Sequence, residues 1–543
     1  MQKNLKYLIL IMMIAFLLRI IPYINYPYLL TNDAMIDFQE IQYLQKNNQL
    51  ALYHPYGRSF TLHLIVYIVS EFSGVSTWYI NMFIPQLISS IGLLFLYLFV
   101  RRYFEEKYSI IAMIFAATFG PNVWWSSQAV RETIGLFFFT FVIYVFDSLV
   151  NRYGFRNLLI FFMIVLTSFF THNWTNLLLF GVLVVMSVTL YNKRFVMGIP
   201  LAFSFGLGLL FYWYLRYFIY ISEIQRDFAV INQNIFVITL SVMILYLVYS
   251  IRKFLYQRSQ FILNKIYKNL DLIQIVLLFS YFLLFFVLYS IFYKLAVFSY
   301  PIQEFVSIFL CGFFATLGIL PLIKESVKMA ISLFAISIVL LMPLLYGLVI
   351  GSVPDFDPLR SLEYLIYPTS IFSAFGLVHS VKKLFRESFV AYSIFSIILI
   401  ISGLLIYPPV FLLKEQISEK NLFYDVRSYI RYIPDEGIEI MKWGQKNNYT
   451  ILSNNPNFNS LRDVLYPVNG NLAFLVSKYD YKVLESLSKI NIYELGIGNP
   501  TQIIKIANEK DILFKNDWGS VYRWNENITN QTVLGGYVDV RKG

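Results

Sequence analysis

Long apolar runs, each ended by a short polar loop, follow one another from the N-terminus to about residue 413. A helix needs roughly 20 apolar residues to cross a hydrocarbon bilayer, and about thirteen runs come near that length. The pattern predicts spans over 7–22, 83–100, 108–120, 133–150, 158–170, 177–191, 195–214, 235–250, 272–290, 305–323, 329–351, 365–379 and 389–413. Residues 23–82 are predicted to form a long outer loop. Within it, 60–72 is apolar but too short and too polar at its ends to span, so it reads as a helix lying in the interface.

Charge gives these spans a direction. Lys3 and Lys6 precede the first run, and the pairs Arg101-Arg102, Lys193-Arg194 and Lys382-Lys383 fill loops between later ones. Every second loop is basic, which is the positive-inside pattern and places the N-terminus in the cytoplasm. The net charge of +11 therefore orients the chain in its membrane and is no nucleic-acid footprint. No small-residue cleavage site follows 7–22, so that run reads as a retained first helix. Pro121 and the Trp124-Trp125 pair sit where an aromatic interfacial belt is expected. Beyond about 414 the long runs stop and Asn, Asp, Glu, Lys and Gly rise. The β-prone runs 449–453, 512–514 and 520–524, with helix-like 435–446, 480–489 and 501–509, predict a small α/β domain of ~130 residues outside the cell membrane. The expected architecture is thus a polytopic α-helical membrane domain, 1–413, followed by an extracytoplasmic α/β domain, 414–543.

The composition narrows the chemistry further. The chain is 58% hydrophobic and 14% charged, so an ionisable group near a span end must be solvated, paired or used. Asp33 and Asp37 follow the first run at i,i+4 spacing, one helix face, with Glu40 close behind. One such carboxylate in a partly dry pocket is a general base, whereas a pair could hold a divalent cation, and a solvated helix start is the plain alternative. Arg19, Arg131-Glu132, His172, and Arg360 with Glu363 all fall on the side of Asp33. Singly each could snorkel to headgroups; jointly they favour an anion site, since guanidinium matches phosphate oxygens bidentately. Sequons at Asn173, Asn448, Asn527 and Asn530 are weak signals in an Asn-rich chain. The single Cys, Cys311, rules out an intrachain disulfide. No P-loop, Rossmann glycine pattern, CxxC or HExxH occurs, so an activated donor would have to come from the membrane itself.

Over most of 1–413 this layout resembles the membrane-embedded glycosyltransferases of the GT-C class, in the branch of protein O-mannosyltransferases and aminoarabinose transferases. Asp33-Ala-Met-Ile-Asp37 stands where that family carries its first-loop Asp, usually followed by Glu; here the next residue is Ala34, with Asp37 as a substitute. His54-Pro55-Tyr56 before the interfacial helix is similar to the family, as are Arg131-Glu132, Thr171-His172, and Arg360 followed by Tyr364 and Tyr367-Pro368. The resemblance implies an inverting transfer of a hexose or pentose from a polyprenyl-phosphate carrier to a glycan, lipid or protein acceptor outside the cytoplasm. It implies Asp33 or Asp37 as the base. Arg19, Glu40, His54, Arg58, Arg131, Glu132, His172, Arg360, Glu363 and Tyr364 would bind the lipid phosphate or sugar. It requires no metal and leaves room for Mg or Mn. An oligosaccharyltransferase is the alternative enzyme. That family's Trp-Trp-Asp has no counterpart in Trp443-Gly444 or Trp518-Gly519, and Asp355-Phe-Asp357 falls later than its Asp-x-Asp. A carrier or flippase of lipid-linked glycans is the non-enzymatic alternative, but the repeat symmetry expected of a transporter is absent from the sequence.

Overall fold

The computed structural model describes residues 2–50, 59–191, 194–218, 270–295, 305–350, 361–386, 388–407, 433, 435–453, 456–468, 471–477, 512–515 and 519–523. They divide between two compact units. The larger comprises Met1–Tyr26, Glu40–Ser290 and Ile302–Tyr407, and the smaller Pro27–Gln39, Ile291–Pro301 and Pro408–Gly543.

The larger unit is helical. Its helices are α1 (Gln2–Asn25), the second half of α2 (Asn32–Asn47), α3 (Thr61–Ser73), α4 (Thr77–Tyr103), α5 (Glu106–Thr118), α6 (Gly120–Ser126), α7 (Arg131–Asn151) and α8 (Phe155–Phe169). They continue as α9 (Asn173–Thr189), α10 (Phe195–Phe218), α11 (Leu270–Leu295), α12 (Val306–Glu325), α13 (Val327–Ile350), α14 (Ser361–Phe385) and α15 (Phe389–Leu404). A helix covers each predicted span except 235–250, which lies outside the described residues. Among the described residues four helices are long and apolar enough to cross a membrane: α1, α4, α7 and α12. The predicted interfacial helix appears as α3, closed by Gly74 in the left-handed conformation. Within the last predicted span α15 stops at Leu404, and 408–413 lie outside the described residues.

One stretch departs from the sequence reading. The helix over the third predicted span ends at Thr118, and Pro121 sits in the first turn of a new short helix, α6, where its missing N–H costs nothing. The tryptophans are not an interfacial belt: Trp124 and Trp125 are only 5% and 6% exposed. All of α6 is buried, and hydrogen bonds to polar side chains of α1, α4 and α12 and to the main chain of α14 hold it and its flanks. The fully buried guanidinium of Arg19 in α1 donates to Asn122 Oδ1 at 2.6 Å, to Ala15 O at 2.7 Å and to Ala117 O at 3.4 Å. Asn122 Nδ2 then donates to Glu363 O at the start of α14, 3.2 Å. Ser307 Oγ of α12 accepts from Gly120 N at 2.9 Å. Ser127 O, just past α6, accepts from Tyr23 Oη at 2.6 Å and Gln86 Nε2 at 3.1 Å. A buried helix end without such partners would leave orphan backbone groups. The chain then turns through Ala129, a buried non-glycine at φ 58°, and enters α7 at Arg131.

Near the other end of α7, the buried Asp147 carboxylate accepts from Arg102, Tyr103, Tyr191 (2.7 Å) and Asn151 (2.9 Å). So Arg102, read from sequence as a topology signal, also closes an ion pair. Between these two polar levels the helices meet through apolar side chains. The closest approach is α12 on α14, where a Cβ at Gly318 would strike the main chain of Phe372 and one at Gly376 that of Phe314. Small residues let helix backbones touch where lipid gives no hydrophobic drive between them.

In the smaller unit the described residues of the C-terminal part form a four-stranded sheet, β1 (Tyr449–Leu452), β2 (Asn471–Ser477), β3 (Ile512–Lys515) and β4 (Gly519–Arg523). The order is β1-β2-β4-β3, with β1 and β2 parallel and the other pairs antiparallel. Helix α16 (Asp435–Lys446) precedes it, and α17 (Pro456–Leu465) makes the crossover that a parallel pair requires. Predicted strands 449–453, 512–514 and 520–524 and helix 435–446 coincide with β1, β3, β4 and α16, whereas β2 and α17 were not foreseen. Predicted helices 480–489 and 501–509 lie outside the described residues.

Two outcomes are expected from this packing. Gly376→Ala forces α12 and α14 apart and lowers stability by about 1–3 kcal/mol, read as a drop in thermal midpoint in detergent. Gly154→Ala, with open space at its Cβ, leaves the midpoint in place. Asn122→Ala strips a buried guanidinium of its shortest hydrogen bond and costs about 2 kcal/mol by the same assay; an unchanged midpoint would contradict the role given to Asn122.

Candidate functional site

The turn at Ala129 brings Arg131 and Glu132 to the first turn of α7, where an acidic side chain is favoured by the helix dipole. Opposite stands His172, which caps α9: its Nδ1 accepts from Thr175 N at 3.4 Å and lies 3.0 Å from Thr175 Oγ1. His172 Nδ1 is 3.8 Å from Glu132 Oε1, a charge pair whenever the imidazole is protonated. From α14, Tyr364 reaches into the same spot. Its hydroxyl lies 2.6 Å from Thr175 Oγ1 and 3.4 Å from Glu132 Oε1. Three of the sequence-predicted residues, Glu132, His172 and Tyr364, thus meet from three helices. Glu132, Tyr364 and Thr175 are nearly or wholly buried, while the His172 side chain keeps 14% exposure.

Neighbouring chain geometry explains the convergence. Ser168 O and Thr167 O accept from Thr171 N and Phe170 N, so the end of α8 tightens before His172. Thr61 N of α3 donates to Phe170 O at 3.1 Å and Phe60 stacks on Phe170, which pins the same corner. Asn176 Nδ2 ties Ser168 O and His172 O together at 2.8 and 3.0 Å. Gly135 lies one turn beyond Glu132, and a Cβ there would collide with Thr175 Oγ1. The glycine therefore sets how closely α9 approaches α7.

Beneath this polar level lies a small apolar pocket of about 40 Å³, lined by Phe95, Phe139, Val182, Leu333, Tyr367 and Ile371 among others. Its walls connect to the polar cluster, since the Phe139 ring packs edge-on against Tyr364 at 5.1 Å and lies 5.3 Å from Tyr367. A space so apolar suits hydrocarbon and does not hold water.

The remaining predicted residues fall as follows. Arg19 is spent on the α6 connection described above, and Glu363 is fully buried beside it, its main-chain oxygen held by Asn122. Arg131 is half-buried at the start of α7. Asp33 and Asp37 lie in the smaller unit, on one face of α2, whose start is capped by Thr31 Oγ1 accepting from Ala34 N at 3.2 Å. Asp33 is half-buried and Asp37 fully buried. Glu40, half-buried on the same helix, belongs to the larger unit. His54, Arg58 and Arg360, and with them Asp355 and Asp357, lie outside the described residues. Among the described residues no three His, Cys, Asp or Glu side chains group as a metal site.

Sequence reasoning missed Thr175, Asn122 and Gly135. Thr175 carried one usable signal, because His172-Asn-Trp-Thr175 has the spacing of a capped helix start. Asn122 and Gly135 carried none, because their roles exist only between helices.

No protein-family model matches the chain, and no curated protein sequence does. Among solved structures it is similar to the Archaeoglobus fulgidus oligosaccharyltransferase in complex with Zn and sulfate, at 16% identity and a TM-score of 0.47, covering 81% of this chain and 55% of that one. The apo form of the same enzyme matches at 15% identity and a TM-score of 0.48, covering 82% and 58%. The archaeal oligosaccharyltransferase AglB from Archaeoglobus fulgidus, with an inhibitory peptide and a dolichol-phosphate, matches at 16% identity and a TM-score of 0.47, with 82% and 58% covered. This chain spans a little over half the length of those structures. A likeness of that size decides neither family nor activity.

Proposed function

We propose that the chain is a multi-pass membrane glycosyltransferase that moves a sugar from a polyprenyl-phosphate carrier to an acceptor on the extracytoplasmic face. The carrying observation is the meeting of Glu132, His172 and Tyr364 from α7, α9 and α14 above an apolar cavity. Buried polar groups in an apolar bundle are costly, so a cluster at the helix ends that face away from the basic loops marks a site. The apolar lining of the pocket beside it is compatible in character with a hydrocarbon chain, and the basic groups match the phosphate end of such a donor.

In this reading residues 1–413 form the catalytic membrane domain and 414–543 an external domain. The acceptor hydroxyl attacks the anomeric carbon as the carbon–oxygen bond to phosphate breaks, and the configuration inverts. Asp33 takes the acceptor proton, with Asp37 beside it on the same helix face. Arg131, His172 and Arg360 steady the negative charge that gathers on the departing polyprenyl phosphate, an electrostatic contribution made at the moment of bond cleavage. Glu40, His54, Arg58, Glu132 and Tyr364 complete the donor surface, while Arg19 and Glu363, expected from the sequence to join it, are fully buried at the α6 connection and support it from behind. No step needs a metal ion, and a divalent cation would serve only as an extra partner for the phosphate.

The direct test incubates purified protein with radiolabelled polyprenyl-phosphate sugars and scores release of the sugar with and without acceptor. Asp33→Asn is expected to lower transfer on the order of 100-fold or more. Arg360→Ala is expected to abolish transfer while membrane insertion stays intact. Wild-type-like transfer by Asp33→Asn refutes the base, unchanged transfer by Arg360→Ala refutes that phosphate ligand, and no release from any donor refutes the activity.

A further inference from the structure

We infer that Thr175 is a positioning residue that fixes the tautomer of His172, so that the imidazole presents a neutral Nε2–H donor and cannot serve as a base through Nε2. The argument begins at the start of α9. The main-chain N–H of Thr175 points at His172 Nδ1. An N–H can be accepted only by a ring nitrogen with a free lone pair, so Nδ1 carries no proton and Nε2 carries it. The Thr175 hydroxyl, 3.0 Å from the same Nδ1, donates to it as well. Its oxygen is then free to accept from Tyr364 Oη, the shortest contact of the group at 2.6 Å.

The hydrogen bonds thus run in one direction, Tyr364 to Thr175 to His172. Reversing them would put a proton on Nδ1, which would then confront the Thr175 N–H and cost α9 its cap. Glu132, 3.4 Å from Tyr364 Oη and 3.8 Å from Nδ1, is the group that would favour the reversed order. Distance favours the forward one. Gly135 is part of the device, since any Cβ there displaces Thr175 Oγ1. Second-layer hydrogen bonds commonly decide which histidine nitrogen is available in this way.

For the proposed transfer, on which the functional meaning rests, the consequence is specific. His172 stabilises anionic oxygen as a hydrogen-bond donor, and proton abstraction falls to a carboxylate.

The test reads the tautomer without any activity. Protein labelled with ¹⁵N-histidine carries four histidines, and the signal of His172 is identified by its loss in His172→Gln. Wild type and Thr175→Ser are expected to show the neutral ring as the Nε2–H form. Thr175→Val, isosteric but without the hydroxyl, keeps only the longer main-chain contact of 3.4 Å to Nδ1, and the Nδ1–H form, which Glu132 at 3.8 Å can accept, is expected to appear beside the Nε2–H form. A dominant Nδ1–H form in wild type overturns the inference, as does a Thr175→Val spectrum superposable on wild type. The wild-type spectrum decides even if the valine variant does not fold. Where transfer is detected, Thr175→Val should lower turnover and Thr175→Ser restore it. If no donor is turned over by wild type, the functional reading fails while the tautomer result stands.

Discussion

A guanidinium with no exposure in an apolar helix must find oxygen inside the protein, and Arg19 finds it around α6. That requirement organises the larger unit. Removing a partner from a buried charged group costs more than the bond itself is worth, so the acceptors Ala15 O, Ala117 O and Asn122 Oδ1 act as a set. Asn122 passes the constraint to α14, Ser307 passes it to α12, and Tyr23 and Gln86 fix Ser127. With both flanks of α6 held, the left-handed residue Ala129 and the entry to α7 follow. Strain at a non-glycine residue persists only where its surroundings over-determine it, and here they do.

The two ends of α7 answer the same physical demand differently. Glu132 and Asp147 are about 22 Å apart along the helix at its usual rise. Asp147 is saturated by Arg102, Tyr103, Tyr191 and Asn151, an arrangement that ties helices together. Glu132 shares longer contacts with His172 and Tyr364, in a cluster where one ring stays partly open to solvent. A closed network stabilises; a cluster with partial access to solvent can take a ligand. The pocket adjoining that cluster adds a surface for an apolar ligand, a combination usual for binding sites.

Close backbone approach is the second recurring device. Gly318 and Gly376 let α12 and α14 touch, and Gly135 lets α9 bring Thr175 and His172 to α7. In lipid, helix association depends on packing and on hydrogen bonds between helices. Glycine therefore serves the site as much as the scaffold: without Gly135 the hydrogen bond from Tyr364 through Thr175 to His172 would have no room.

Hydropathy runs and the alternation of basic loops were enough to locate the helices, because a span is a local property of consecutive residues. They also gave the short helix α3 and the opening of α7 at Arg131-Glu132, whereas His172, read at the end of one span, caps the next helix, α9. Strands β1, β3 and β4 were legible from β-prone runs, whereas β2, at the middle of the sheet, was not. The sequence could rank Glu132, His172 and Tyr364 as candidates, since ionisable and phenolic groups near span ends are conspicuous against so much apolar chain. It misplaced Trp124 and Trp125, because a Trp pair after a proline reads alike at an interface and in a core. Only the tertiary structure decided which helix faces meet. That choice buried α6, gave Asn122 two partners and set Thr175 between His172 and Tyr364, because side chains far apart in the chain become neighbours only through packing.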